Sequence, residues 1–239
     1  MDLPDALDAR TGIVSVVGAG GKKTTLYALA ARVDRAVVTA TVRIPPFEDA
    51  VASLEVTDDP VSVVEATDDR PVGVVAARER SDRYRGFDTD QIGAIADAAE
   101  GPVLVKADGA RMRELKAPGS HEPQIPSETD TVVPVVSAHA VGEPLDADTV
   151  HRPERVAAAT DLSVGDEITA EAVGRLLGDS AGGWKNVPEG ASVVPLVNKV
   201  DDEEDRAVAE RIADQIPDHA DCSRVVLARM KTPEVVDIV

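Results

Sequence analysis

Residues 13–26 read Ile-Val-Ser-Val-Val-Gly-Ala-Gly-Gly-Lys-Lys-Thr-Thr-Leu, and this stretch decides the predicted fold. Residues 13–17 are almost continuously apolar, which favours a buried strand of a parallel sheet. Three glycines follow within residues 18–21, and apolar residues then recur at helical spacing from Thr24 to Val33. A strand, a glycine loop and a helix in this order are typical of a phosphate-binding loop, because backbone N–H groups and the positive helix end face the anion.

The loop departs from the usual pattern, in which Gly-Lys is followed at once by Ser or Thr. It has two adjacent lysines and reads one residue short, so either Lys22 or Lys23 meets the phosphates. Thr24 is the expected Mg²⁺ ligand. An ordinary glycine turn before a helix is the alternative. The residues predicted to hold the phosphates are Gly18, Gly20, Gly21, Lys22, Lys23, Thr24 and Thr25.

Two later strands end in polar residues that suit the same site. Thr41 follows the strand at residues 35–40 and is expected to sense the γ-phosphate. Asp108 follows the apolar residues 103–105 and is the predicted second Mg²⁺ ligand, although Asp-Gly is also a common turn. Arg111 and Lys116 come next and, with Lys23, are the predicted catalytic cations.

The tetrad Asn198-Lys199-Val200-Asp201 follows another predicted strand. A carboxylate accepts two hydrogen bonds from guanine, whereas adenine offers no such pair of donors. Asn198, Lys199 and Asp201 are therefore predicted to read a guanine base. The alternative is a polar loop that caps the next helix.

The charge composition of the chain limits the classes of partner that it can be expected to bind. Asp and Glu number 44 against 25 Lys and Arg, for a net charge of −19. Such a charge argues against nucleic acid or anionic membrane as the main partner and suggests adaptation to high salt. Cys222 is the only cysteine, and no signal peptide or transmembrane run is evident, which favours the cytoplasm.

Taken together, these patterns predict one α/β domain over residues 1–239. Its sheet is expected to be doubly wound and mainly parallel, of the P-loop NTPase type, with residues 140–190 as a small helical insertion. Pro134 is expected to mark a sheet edge or a bulge. Thr232 and Pro233 are expected to begin a short final helix.

With these motifs in place, the chain resembles the YqeC family, described as accessory proteins of selenium-dependent molybdenum hydroxylases. The resemblance runs over most of the chain. The motifs that carry it, besides the glycine loop and Asn198 to Asp201, are Thr39 with Thr41, Ala107 to Arg111, Lys116 to Pro118, His121 to Pro123, Ile125-Pro126 and Val150 to Arg155. Here Lys23 is an extra lysine in the loop, and Lys106 replaces a frequent glutamate. The resemblance implies a P-loop fold and a role in maturing such a hydroxylase.

Three hypotheses follow for the function. The first is an Mg²⁺-dependent nucleotide hydrolase that uses GTP or ATP, prefers guanine and serves an apo-molybdenum hydroxylase or its cofactor. The second is a phosphoryl or nucleotidyl transferase acting on a pterin cofactor, with His121, Glu122 and Arg113 near the acceptor. The third is a nucleotide-bound scaffold without hydrolysis.

Overall fold

The computed structural model describes residues 1–217, 220 and 222–239. It is an α/β protein whose helices and strands alternate along much of the chain. The helices are α1 (Leu3–Ala6), α2 (Lys22–Ala30), α3 (Pro60–Ala66), α4 (Thr89–Ala98), α5 (Pro153–Ala159), α6 (Ala170–Gly178) and α7 (Glu203–Asp214). The strands are β1 (Ile13–Gly18), β2 (Val37–Ala40), β3 (Ser53–Val56), β4 (Val72–Val75), β5 (Ala77–Arg80), β6 (Arg83–Arg85), β7 (Val103–Lys106), β8 (Leu115–Lys116), β9 (Thr131–Ser137), β10 (Val150–His151), β11 (Ser192–Val193), β12 (Leu196–Asn198), β13 (Val226–Arg229) and β14 (Glu234–Ile238).

One large sheet organises the fold. Its strand order is β14-β13-β12-β9-β1-β7-β2-β4-β3, with β11 also paired to β9. The strands pair in parallel except for β14, which runs antiparallel to β13. β1 lies between β7 and β9, so the glycine loop leaves the sheet near its middle.

Helices cover both faces of this sheet, as a doubly wound fold requires. On one face, Leu7 of the segment after α1 and Leu26 and Leu29 of α2 pack with Val14 and Val16 of β1. On the other face, α3 and α4 pack over β1, β2, β4 and β7, while α6 and α7 pack over β9, β12 and β13. The predicted α/β, mainly parallel sheet with helices on both sides is confirmed.

The helix starts follow the sequence signals. Asp88 and Gln91 form a capping box at α4, and Thr169 accepts a hydrogen bond from the Ala172 amide at α6. Asp202 accepts from two amides at α7. Residues 140–190 contain β10, α5 and α6, whose apolar side chains join the core between the sheet and α7.

Two local expectations were wrong. Residues 234–238 form the edge strand β14 instead of a helix. Pro134 lies inside β9, a central strand with neighbours on both sides. On the side that the Pro134 nitrogen faces, β11 ends at Val193 and β12 begins at Leu196. The N–H group that proline lacks therefore coincides with an interruption in the neighbouring strand.

No helix in the described part of the chain is both long and apolar enough to cross a membrane.

Candidate functional site

The glycine loop makes a tight turn between β1 and α2. Gly18, Gly20 and Gly21 all have positive φ angles, of 91°, 79° and 142°. A Cβ atom at Gly21 would collide with the side-chain amide of Asn198, so both its backbone angle and its surroundings require glycine. The turn ends at Gly21, which caps α2 without a side chain.

Most amides of the loop itself are already bonded. The Gly18 N–H donates to Asp108 Oδ2 at 2.8 Å, the Ala19 N–H to the Val135 carbonyl at 2.8 Å, and the Gly20 N–H to the Arg113 carbonyl at 3.0 Å. The N–H groups of residues 22–24 have no acceptor among the described residues, as expected in a first helical turn. Free donors for an anion are therefore found at the start of α2.

Asp108 lies at the centre of a buried cluster of charges. Its carboxylate is 1 % exposed and lies 3.0 Å from Lys22 Nζ and 2.8 Å from Lys116 Nζ. Lys22 also donates to the Gly18 carbonyl, and Lys116 to the Gly109 carbonyl at 2.7 Å. Burial raises the pKa of Asp108, but the two ammonium groups outweigh it and hold the pKa below its usual value. Asp108 is therefore ionised and holds both lysines at the loop.

The ion pairs continue away from the loop. Lys116 Nζ lies 3.0 Å from Glu122 Oε2, and Arg152 Nη1 lies 2.8 Å from the same oxygen. Burial opposes ionisation of Glu122, but Arg152 and Lys116 lower its pKa to about 2. Arg152 precedes α5, so this chain of charges connects the glycine loop with the segment that contains α5 and α6.

Lys106 is a third lysine at the same end of the sheet. It is 6 % exposed, and its Nζ donates to the Arg43 carbonyl at 2.9 Å and the Asp108 carbonyl at 2.7 Å. Burial, helped by Lys22, lowers its pKa to about 7. Three lysines, Lys22, Lys106 and Lys116, thus lie together in a protein with a net charge of −19, and this favours an anionic ligand.

The other residues predicted to contact phosphate differ in their exposure to solvent and in their hydrogen bonds. Lys23 is half-buried, and Thr24 is exposed. Thr25 is buried, and its hydroxyl donates to the Gly21 carbonyl at 3.1 Å. Thr41 donates its hydroxyl to the Gln124 carbonyl at 2.6 Å. Arg111 lies exposed on the loop after β7, with φ of 49°.

The predicted base-reading residues divide into buried and exposed groups. Asn198 is 3 % exposed, donates to the Gly20 carbonyl at 2.7 Å and accepts from the Met230 N–H at 2.9 Å. Lys199 Nζ pairs with Glu114 at 2.6 Å. The exposed Asp201 carboxylate lies 3.7 Å from His139 Nε2. Asn198 therefore braces the loop, and Asp201 is the member that faces solvent.

Comparison with known proteins assigns the chain to a family. The sequence model described as "YqeC protein" matches residues 14–154. That range contains the glycine loop, Asp108, Lys116, Glu122 and Arg152. The chain belongs to the YqeC family. It is 30 % identical over 199 residues to a protein of Escherichia coli (strain K12) named "Uncharacterized protein YqeC", covering 80 % of this chain and 77 % of that protein. No solved structure matches.

The magnesium ligands predicted for this YqeC protein fit the ion poorly. Mg²⁺ binds oxygen atoms, usually carboxylates, phosphates and water. Both Asp108 oxygens face an ammonium group, and the Thr24 hydroxyl is exposed on the third residue of α2. Of the two predicted ligands, the Asp108 carboxylate is therefore already neutralised by lysines, and the exposed Thr24 hydroxyl is left to bind an ion.

A polar cavity lies at the same end of the sheet as the glycine loop and was not predicted from the sequence. It encloses about 290 Å³ beyond the ends of β2 and β4. Its lining includes Thr41, Arg43, Glu79, Arg85, Asp88 and Gln91. Sequence patterns gave no sign of it, because its residues come from three separate segments, 41–43, 76–79 and 85–91. The Arg43 carbonyl bonds Lys106, so its wall adjoins the charge cluster.

Proposed function

We propose that this YqeC protein binds a purine nucleoside triphosphate, GTP or ATP, and serves as an accessory factor in the maturation of a molybdenum hydroxylase. The observation that carries the nucleotide proposal is the start of α2. Free N–H groups there lie beside Lys22. The Lys22 ammonium is held by Asp108, which follows the adjacent strand β7. Donors, a helix start and a positive charge together suit a phosphate chain.

Guanine is the favoured base because of Asp201. Its carboxylate is 45 % exposed in side-chain terms and follows the bracing residue Asn198 by three positions. A carboxylate at this place accepts from the two donors of guanine. Asn198 keeps the base-binding segment and the glycine loop in contact, which supports one shared site.

The direct test is calorimetric titration of the purified chain with GTP and with ATP in molar KCl. We expect GTP to bind more tightly than ATP. Equal affinities would retain the nucleotide proposal and remove the guanine preference. If neither nucleotide binds, the glycine loop is a structural turn and the proposed function is wrong.

A matched pair of variants tests the base contact. Asp201→Asn should lower GTP affinity about tenfold and leave ATP affinity unchanged, because one acceptor for a charged hydrogen bond is lost. Asp58→Asn removes the same charge from an exposed residue far from the motif and should change neither affinity. Equal losses for both variants would show a general charge effect instead of base recognition.

The accessory role rests on the family and is tested in cells. Deleting the gene should lower molybdenum hydroxylase activity without lowering the amount of hydroxylase polypeptide. Full activity in the deletion strain would contradict the role. Whether the bound nucleotide is hydrolysed is measured separately, as phosphate release with and without the hydroxylase.

The polar cavity favours group transfer as a second candidate. A space of about 290 Å³ with two arginines and an amide is large enough for a polar second substrate, and it adjoins the charge cluster through Lys106. A pterin is the acceptor expected under this hypothesis, although His121, Glu122 and Arg113, the residues predicted near the acceptor, do not line this cavity. Group transfer would be distinguished from simple hydrolysis by consumption of nucleotide that depends on added pterin.

A further inference from the structure

When the glycine loop is aligned on Lys22 as its phosphate-binding lysine, the residue that follows departs from the common pattern. In the common pattern that residue is Ser or Thr, and its hydroxyl binds the Mg²⁺ that accompanies the nucleotide. Here α2 begins at Lys22, whose ammonium lies at Asp108, and the second residue of the helix is Lys23. A cation therefore occupies the sequence position of a metal ligand.

The neighbouring hydroxyls do not replace the missing ligand. Successive residues of a helix point about 100° apart, so Thr24 projects from a different side and is exposed. Thr25 is buried, and its hydroxyl donates to the Gly21 carbonyl at 3.1 Å. Neither threonine side chain therefore occupies the position of Lys23, the second residue of α2.

Asp108 is also committed to other partners. Oδ2 accepts from the Gly18 N–H at 2.8 Å and lies 2.8 Å from Lys116 Nζ, and Oδ1 lies 3.0 Å from Lys22 Nζ. With 1 % exposure, the carboxylate has no open face toward solvent. If Asp108 bound a metal ion, at least one buried lysine would lose the carboxylate that neutralises its charge. A buried charge without a partner costs free energy.

The local charges oppose a divalent cation as well. Lys22, Lys106 and Lys116 are buried around Asp108, while Glu122 is shared between Lys116 and Arg152. Among the described residues, the group of side chains spaced to hold a metal is His139 with Asp201 and Asp205, beyond the end of β12. The loop has the cations for a phosphate chain and lacks the anions for a metal.

We propose that this protein binds the phosphates of its nucleotide without a divalent cation, and that Lys23 supplies the charge that Mg²⁺ supplies in the common pattern. The proposal rests on the proposed function, since it concerns the same nucleotide site. Lys22 and Lys23 are adjacent on the first turn of α2, where the free N–H groups also lie. A lysine ammonium is a compact charge suited to phosphate oxygens.

The test is titration with GTP and ATP in molar KCl, once with EDTA and once with MgCl₂. The native chain should bind its preferred nucleotide in EDTA with an affinity within about threefold of that in Mg²⁺, because the protein supplies the countercharge. Binding that occurs only with Mg²⁺ would overturn the metal-independent site and leave the proposed function standing. An absence of binding in both solutions would overturn the two together.

Variants at the same position make the test specific. Lys23→Thr restores the common pattern, so we expect about a tenfold loss of affinity in EDTA and recovery on adding Mg²⁺. Lys231→Thr removes the same charge from an exposed lysine outside the site and should alter neither titration. Circular dichroism checks that each variant is folded. If Lys23→Thr binds as the native chain does in EDTA, Lys23 has no part in phosphate binding and the proposal is wrong.

Discussion

At the scale of single residues, the site depends on groups that tolerate little change. Gly21 combines a φ of 142° with direct contact to Asn198, and Asp108 is buried against two lysines. Backbone strain, steric overlap and an unpaired buried charge each cost free energy when such a residue is replaced. These residues therefore give the sharpest predictions for mutagenesis.

Gly21→Ala should lower the free energy of unfolding by about 2–4 kcal/mol, since it adds both strain and a collision with Asn198. Gly142→Ala is the matched control, because Gly142 has a φ of 88° but nothing within 4 Å of an added Cβ. The control should lose only about 1 kcal/mol from strain. Urea unfolding in molar KCl measures both. Equal losses would show that contact with Asn198 does not matter.

Glu122 predicts a specific dependence of stability on pH. Its pKa is about 2 in the folded protein and near 4.5 when unperturbed, so its contribution is complete above pH 4.5 and is lost as pH falls toward 2. Glu122→Gln should lower the free energy of unfolding by about 1–2 kcal/mol at pH 7, after allowance for solvent screening. The difference from the native chain should shrink on acidification.

The measurement is urea unfolding of both proteins between pH 3 and pH 7. A difference that is constant over this range would mean that the carboxylate charge of Glu122 does not contribute, and that the substitution acts through packing. Glu65→Gln, at a surface residue of α3, serves as the control and should show no pH-dependent difference.

At the scale of elements, Asn198 joins the ends of three strands. It is the last residue of β12, donates to the Gly20 carbonyl after β1 and accepts from the Met230 N–H after β13. A single amide thus fixes the glycine loop relative to the neighbouring half of the sheet. Since both bonds are buried, water does not replace them when the side chain is removed.

Asn198→Ala should reduce the free energy of unfolding by about 2–4 kcal/mol and weaken nucleotide binding, because two buried partners lose their bonds. Thr39→Val is the control, since it removes one buried hydrogen bond, to the Val74 carbonyl, and keeps the side-chain shape. That control should cost about 1 kcal/mol and leave binding unchanged. Unfolding and calorimetry on the same samples separate the two effects. Unchanged stability of Asn198→Ala would refute the bracing role.

At the scale of the whole molecule, charge is distributed in two opposite ways. The chain as a whole carries −19, whereas Lys22, Lys106 and Lys116 converge at the end of the sheet. Repulsion between surface carboxylates destabilises the compact state at low salt, and screening reduces it. The buried cluster is screened much less, because water and ions do not reach it.

Raising KCl from millimolar to molar concentration should therefore raise the melting temperature by about 5 °C or more. Differential scanning calorimetry measures the shift, with glucose at equal osmolarity as an uncharged control. A similar rise in glucose would assign the effect to excluded solute instead of charge screening. No rise in KCl would contradict the prediction of adaptation to high salt.

Local patterns in the sequence determined the strand, glycine loop and helix at residues 13–30 and the parallel α/β class. Those features depend on near neighbours, so apolar periodicity and turn chemistry suffice to predict them. The edge strand β14 was missed, because its valines and isoleucine adopt the strand only where β13 offers free backbone groups.

Only the tertiary structure decided which charges meet. Lys22, Asp108, Lys116, Glu122 and Arg152 are scattered over 131 positions of sequence numbering (22 to 152), yet they form one connected chain of ion pairs. Their encounter depends on the order of strands β1 and β7 and on the return of the chain before α5. Strand order is set by long-range packing, which no local pattern encodes, and it makes Asp108 a partner of lysines instead of an open metal ligand.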